Sequence, residues 1–458
     1  MIFRLATRSL SVRPIRTAVL ACGFGLGIAV MAALLGVGDV ILEQARSPEL
    51  AGGGDAVVQG VFGSIENAPF VLSTVRTLAP TASPARRATI YLMKEGAPPI
   101  AIIARGGVPS LEKAVGDTEV KNAAAWVDEP SDARWTHTDQ ASVLRALDRF
   151  HAQPDVPEFA ASWAEWLYFN GRTADGRIRF YLTFMVGPIS RPGFRSAGVR
   201  LQLDRDGHTT SYGMRDEVDE RLVLDKAPDV DIAGSSVRLN GQRYEISLRL
   251  PGISGRLVLD PAVGRSLPPA VLRGARGWLS GYVVPVLSGQ LSGSLTSGAA
   301  KADTFEFDGA TGYHDHNWGF WRDVRWQWGQ VSGGDLSFIY GRVFPPADVA
   351  AADRIPGFLG VLDEHGLVGI ATNVSIAEHR TGGETGTAPS SIDITARGSA
   401  IDLRLTFSTD RSVRTALGMT GGATDFMQLG GTYRVEGRAA GRPVDFTARG
   451  AAETFQSR

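Results

Sequence analysis

The chain has little of what usually makes a protein's chemistry easy to name. One cysteine, Cys22, stands among 458 residues, which excludes an internal disulfide and a cysteine-based zinc site. Histidine is scarce, with 7 residues. No sign of charge dominates: 47 basic and 48 acidic side chains leave a formal net charge of −1. Beyond the N-terminus there is no long basic run, so nucleic acid has no electrostatic footprint to bind. The GGG at 52–54 fits neither a Walker nor a dinucleotide pattern, and no G-x-S-x-G nucleophile elbow occurs. What remains is a chain with 43% apolar and 21% charged residues, able to bury sizeable cores and not disordered. Its 55 glycines are spread without a repeat, which reads as many tight turns and a β-rich protein. The length suits two or three domains.

Only one run is apolar enough for a membrane. Residues 17–38 (TAVLACGFGLGIAVMAALLGVG) carry no charge, and a bilayer core of about 30 Å needs roughly 20 helical residues. Arg4, Arg8, Arg13 and Arg16 precede the run, and Asp39 and Glu43 follow it. This asymmetry predicts a single-pass anchor in a bacterial inner membrane, with the bulk of the chain on the periplasmic side. A cleaved signal peptide is the rival reading, but its apolar region is normally about 7–15 residues. Val19-Leu20-Ala21-Cys22 has the outline of a lipoprotein cleavage box; because the apolar run continues past it, a thiol buried in a helix fits better. The stretch RPIRTAVLACGFGLGIAVMAALLGVGDVILEQ, with GGGDAVVQG after it, resembles the first membrane helix of ABC-transporter permeases. That resemblance implies ABC-transporter subunits as partners. Lacking a second spanning run, the chain is not itself a complete permease.

After this anchor (1–48), residues 49–155 read as a small α/β region and linker. ATIYLM (88–93) and IAIIAR (100–105) are strands around the turn KEGAPP. One helix is expected from Leu111 with Ser110 as its N-cap. A second is expected over 139–150, where Val143, Leu144, Leu147 and Phe150 share a face. From about Ser162 the period becomes two. Ile178, Phe180, Leu182 and Phe184 alternate with Arg177, Arg179, Tyr181 and Thr183, and later segments such as YEISLRL and IDLRLTF repeat the pattern. Strands of this length between Gly-, Pro- and Asp-rich turns predict antiparallel sheets closed into barrels. The expected architecture is mainly β, with two β-domains over 156–311 and 312–458. LPPAVLRGARGWL (267–279) is the one expected helical or irregular insertion.

Two histidines and two tryptophans crowd into GYHDHNWGFW (312–321). In an extended strand Tyr313, Asp315 and Asn317 share one face, while His314, His316 and Trp318 share the other. A carboxyl group enclosed by aromatic rings is disfavoured as the anion, so its pKa rises. A neutral acid can protonate an alkene, and aromatic faces stabilise the cation that follows. The bland alternative is that Asp315 and Asn317 cap a barrel corner while the tryptophans fill a core. His314-x-His316 has the spacing of two metal ligands on one strand face, but His365 and His379 are far off in sequence. The expectation is therefore no metal.

GYHDHNWGFW followed by WQWGQVSGGDLSFIYGRVFPP closely resembles the C-terminal region of the carotenoid 1,2-hydratase (hydroxyneurosporene synthase) family of two-domain lipocalin-like proteins. EWLYFNG (165–171), LPGISGRLVL and GYVVPVLSG resemble its earlier sections. The resemblance implies two lipocalin-like barrels, no cofactor, and hydration of an isoprenoid-type double bond. Residue by residue, the family's Tyr-x-Asp falls on Tyr313 and Asp315, making Asp315 the proton donor. The family's upstream His-x-Trp has no counterpart, because no histidine lies between His208 and His314. The candidate catalytic set is Asp315, Tyr313 and Asn317, with His314 and His316 flanking them. The candidate ligand-binding set is Trp318, Trp321, Trp326, Trp328, Tyr340, Trp166, Tyr168 and Glu165, for an apolar isoprenoid, carotenoid or lipid. A non-enzymatic carrier of apolar ligands, associated with an ABC transporter, is the alternative. A reporter fused after Arg458 is expected to be active only in its periplasmic form; activity of a cytoplasmic reporter there would reverse the topology.

Overall fold

The computed structural model describes Ile15, residues 54, 56–58, 65, 67–93, 100–117, 120, 125–136, 139–298, 302–380, 387–419 and 422–457. The expected anchor at 17–38, with Cys22 in it, lies outside these residues. Among the described residues no helix is long and apolar enough to cross a membrane. The chain divides into two units, Met1–Ala68 with Leu72–His137, and Pro69–Val71 with Thr138–Arg458. The first unit holds the expected hairpin, with Ala85–Leu92 pairing Ile100–Gly107. Its short helix is Pro109–Ala114, starting before Leu111. Proline suits the first helical position because the missing N–H would be unsatisfied there anyway. Ser110 is therefore inside the helix and does not cap it; its amide and hydroxyl bind Asp128.

In the second unit the helix Gln140–Leu147 starts as expected, with Asp139 accepting from the Ser142 amide at 2.9 Å. It stops at Leu147, short of Phe150, which turns Asp148 into the protein interior. Two antiparallel sheets follow, each curled into a nearly closed barrel. The first has twelve strands. Along its path lie His208–Asp219, Phe194–Arg205, Ile178–Arg191, Trp163–Arg172, Ala310–Phe320, Leu279–Ser297, Ile253–Pro261, Arg243–Leu250, Ser235–Asn240 and Val230–Ile232, with Leu267–Arg273 and Thr304–Glu306 also on Leu279–Ser297. The second has nine strands, in the order Gly366–Ala371, Phe358–Asp363, Leu336–Phe344, Arg325–Gly333, Arg442–Ser457, Gly422–Ala439, Ile401–Met419, Ser391–Arg397 and Asn373–His379.

The region around 267–279 is a correction. Leu267–Arg273 is a strand, with only a short turn of 3₁₀ helix after it. Pro268 and Pro269 sit where its register against Leu279–Ser297 shifts, a place where missing donors are tolerated.

Period-two alternation explains the cores. Leu167, Phe169, Phe180, Leu182, Phe184 and Phe320 fill the first barrel. Phe338, Tyr340, Leu405, Phe407 and Tyr433 fill the second. A third apolar layer joins Tyr168, Tyr181, Leu287 and Tyr313 of the first sheet to Trp328, Ile339, Leu362 and Val413 of the second. Ala310–Phe320 is central to this arrangement. It enters the first sheet between Trp163–Arg172 and Leu279–Ser297, so the two segments GYHDHNWGFW and EWLYFNG become neighbours. The sheet changes between Phe320 and Arg325, and Gly312, the expected boundary, falls inside a strand of the first barrel.

Packing in the second barrel is tight enough to test. A Cβ at Gly329 would lie 2.5 Å from both the Tyr340 and Tyr433 hydroxyls, which bind each other at 3.1 Å. Gly329→Ala is expected to destabilise the protein by about 1–3 kcal/mol, the usual cost of overpacking, as read from chemical denaturation. An unchanged denaturation midpoint would show that the tyrosine pair yields freely.

Candidate active site

The strand Ala310–Phe320 presents its two faces to two different buried environments. Tyr313, Asp315 and Asn317 pair across the sheet with Asn170, Tyr168 and Trp166, and this face is covered by the second barrel. Asp315 thus lies in the layer between the two barrels. The Tyr313 hydroxyl donates to Asp315 Oδ2 at 2.7 Å, and the Asn317 amide donates to Oδ1 at 2.7 Å. Trp328 Nε1 donates to the Tyr313 hydroxyl at 2.9 Å, which fixes its rotamer and aims its own proton at Asp315. Beside them Gln428 Nε2 donates to the Tyr168 hydroxyl at 3.3 Å, and Tyr168 meets a second buried carboxyl, Glu453.

Burial dominates the electrostatics of this face. It raises Asp315 to about 6, although the bonds from Tyr313 and Asn317 and the nearby imidazoles pull it back. It raises Glu453 to about 8, with the Asp315 charge adding to the rise and Tyr168 opposing it. Two carboxyls in one dry layer cannot both ionise cheaply, so the pair retains a proton near neutral pH. The arrangement can give a proton and take one back.

The opposite face works differently. His314 directs Nε2 at Asp148 Oδ2 (2.9 Å) and Nδ1 at the Tyr168 carbonyl (3.0 Å). His316 lies between two carboxylates, 2.7 Å from Asp148 Oδ1 and 3.0 Å from Glu165 Oε1. Burial alone would lower His316, but the bonds and charges of Asp148 and Glu165 outweigh it and raise it to about 9. Burial would raise both carboxylates; His314 and His316 hold Asp148 well below its ordinary range, and His151 and His316 hold Glu165 at about 2. His151 Nδ1 meets Glu165 Oε1 at 2.7 Å, and the fully buried Arg195 lies 3.9 Å from Glu165 Oε2.

His151, Glu165 and His316 each place one donor atom within 4.8 Å of the others, a geometry able to hold a cation. Both ring nitrogens of His316 face carboxylates, however, and an imidazolium has no lone pair for a metal. The trio fits a charge-assisted hydrogen-bond network better.

The predicted residues separate accordingly. Tyr313, Asp315, Asn317, Tyr168 and Trp328 come together between the barrels. Trp166, Trp321 and Trp326 form an aromatic wall along the same junction, with Trp326 stacked on Phe455 at 3.8 Å. Glu165 and Trp318 belong to the histidine face, Trp318 stacking on His151 at 4.1 Å. Tyr340 lies in the second barrel's own core. Glu453, Asp148 and His151 escaped the sequence reading. The only signal for Glu453 was an acidic residue within an otherwise uncharged strand end, AAETFQ.

No family model matches the chain, and no curated protein matches it. Among solved structures, the chain is similar to CghA, alone and with Sch210972, at TM-score 0.47, and to kievitone hydratase from Nectria haematococca at TM-score 0.45. Each match has 12% identity and covers 68% of this chain and 94% of the other.

The raised carboxyls set a pH dependence. The folded state retains protons on Asp315 and Glu453 that the unfolded chain releases above about pH 4, so their contribution to stability falls as pH rises from there through about 8. Glu453→Gln removes one of these charges at every pH. The variant is expected to gain at least about 1 kcal/mol relative to wild type between pH 5 and 8.5, read as diverging thermal midpoints. Parallel curves would show that Glu453 ionises normally.

Proposed function

We propose that the protein is a cofactor-independent hydro-lyase that adds water to an isoprenoid-type carbon–carbon double bond. The observation that carries this reading is Asp315: a buried carboxyl with a raised pKa, oriented by Tyr313 and Asn317, in an aromatic layer beside a second raised carboxyl. The Tyr-x-Asp match to the carotenoid 1,2-hydratase family points the same way.

The reaction follows from these groups. Asp315 delivers its proton to the less substituted alkene carbon, and the π electrons become the new C–H bond. The tertiary cation left behind faces the aromatic rings, whose quadrupoles favour positive charge. A water lone pair forms the C–O bond, and the extra water proton returns to the Asp315 carboxylate. Tyr313 and Asn317 hold the carboxyl in line throughout, and Glu453 keeps the pair protonated enough to act near neutral pH. His314 and His316 act from the far face by fixing the strand.

The chain is also proposed to be held at the inner membrane by residues 17–38, with the barrels outside the cytoplasm. The permease-like character of that segment favours a second reading: a carrier that presents an apolar ligand to ABC-transporter subunits without transforming it. The two readings part at Asp315→Asn, which keeps shape but has no acid proton. As a hydratase the variant is expected to lose about 100-fold or more in turnover, with ligand affinity little changed, assayed by incorporation of heavy oxygen from water into acyclic isoprenoids. Tight binding by wild-type protein with no label incorporated from any isoprenoid would leave the carrier.

A further inference from the structure

A cavity of about 50 Å³ lies at the junction of the barrels, with Tyr313 and Tyr181 in its wall. Three guanidinium groups line it, those of Arg172, Arg179 and Arg449. Among the described residues, the one carboxylate in contact with any of them is Asp410, 3.4 Å from Arg179 Nη1 and 2.9 Å from Arg449 Nη1. Asp204 is nearby but is engaged by Arg411 at 2.6 Å, and Glu453 is kept largely protonated. The cavity is therefore strongly positive. Arg172 feels this: burial, then Arg179 and Arg449, lowers it to about 10.

The donors are also incompletely used. The Arg179 side chain is 5% exposed, yet its Nε and Nη2 have no hydrogen-bond partner among the described residues, and neither does Asn170 Nδ2 in the same wall. Buried donors left unpaired are costly. Arg179 is nevertheless accommodated on purpose, because a Cβ at Gly430 would land on its Nη1. A guanidinium's donors match an oxyanion's acceptors in a planar fork. The volume is several times the ~10–15 Å³ one water requires, enough for a carboxylate or phosphate group and too small for an isoprenoid chain.

We propose that this cavity is an oxyanion-binding subsite that takes the carboxylate or phosphate end of an amphiphilic ligand. As the ligand class of the site beside Tyr313 and Asp315, this rests on the reading given above; as an anion site, it rests on the arginines alone. It narrows the substrate from an isoprenoid hydrocarbon to an isoprenoid or similar chain with an acidic end.

The test is calorimetric titration of the full chain in neutral detergent at low salt, with geranyl phosphate, geranate, geraniol and inorganic phosphate as probes. Geranyl phosphate and geranate are expected to bind at least 10-fold more tightly than geraniol, and Arg179→Met to erase that ratio. Because a buried arginine can be needed for folding, Arg172→Met, at a half-buried side chain, is measured in parallel and is expected to reduce the ratio several-fold with the thermal midpoint unchanged. A wild-type ratio near one, or a ratio that survives both substitutions, overturns the proposal. Inorganic phosphate binding as tightly as geranyl phosphate, and lost in Arg179→Met, would overturn the assignment to a ligand's end and leave a site for the free ion. Asp315→Asn is expected to keep the full affinity ratio. Absence of hydration in wild-type protein therefore leaves this result standing, and the two readings fail separately.

Discussion

The ladder that seats Ala310–Phe320 between Trp163–Arg172 and Leu279–Ser297 is the constraint from which the rest follows. A strand has two faces, and in an ordinary antiparallel barrel one of them meets water. Here the second barrel covers the outer face, so both sets of alternate side chains are buried. Polar side chains in dry surroundings must then find partners or change protonation state. The strand carries five such side chains in a row, Tyr313 to Asn317, and each finds a partner: Asp315 is held within the strand by Tyr313 and Asn317, and the two histidines share Asp148. Asp148 reaches His314 and His316 because the preceding helix ends early, whereas Tyr313 is met by Trp328 of the second barrel.

The two faces resolve burial in opposite ways. On the histidine side, carboxylates, imidazoles and Arg195 neutralise one another through short, charge-assisted bonds. Such a network, once complete, is rigid and holds its protons firmly. On the aspartate side, no cation contacts either carboxyl among the described residues, and the pair limits its charge by keeping a proton. A fixed, satisfied network on one face thus holds in place a protonatable pair on the other. That pairing of rigidity with exchangeable protons is what acid–base chemistry requires of a site.

The arginine-lined cavity extends the same layer with the opposite charge. Arg179 arrives by strand alternation from the first barrel, and Arg449 and Gly430 belong to the second. Neither barrel alone would enclose it. An anionic group held there would lie beside Tyr313.

Much of the fold was legible in the sequence because it depends on local periodicity. Phe180, Leu182 and Phe184 announce a strand face whatever surrounds them, and Tyr313, Asp315 and Asn317 share a face by backbone geometry alone. The helix start near Asp139 was legible from the spacing of Val143, Leu144 and Leu147, but its cap was not read, and the cap expected at Ser110 failed because Pro109 moved the start. The strand at Leu267–Arg273 was hidden by Pro268 and Pro269, which only a register shift against a distant strand makes tolerable. Glu453 was invisible for a different reason: alternation in a single barrel puts it on the face opposite Ala452, which would be the solvent face. Asp148 and His151 sit in a helix end and an irregular link, and their partners lie up to 168 residues away. Periodicity determined which side chains travel together, since that is a property of the backbone. Which of them are buried, paired or held protonated was decided only when the second barrel closed over the first, because burial and charge depend on neighbours that no local pattern encodes.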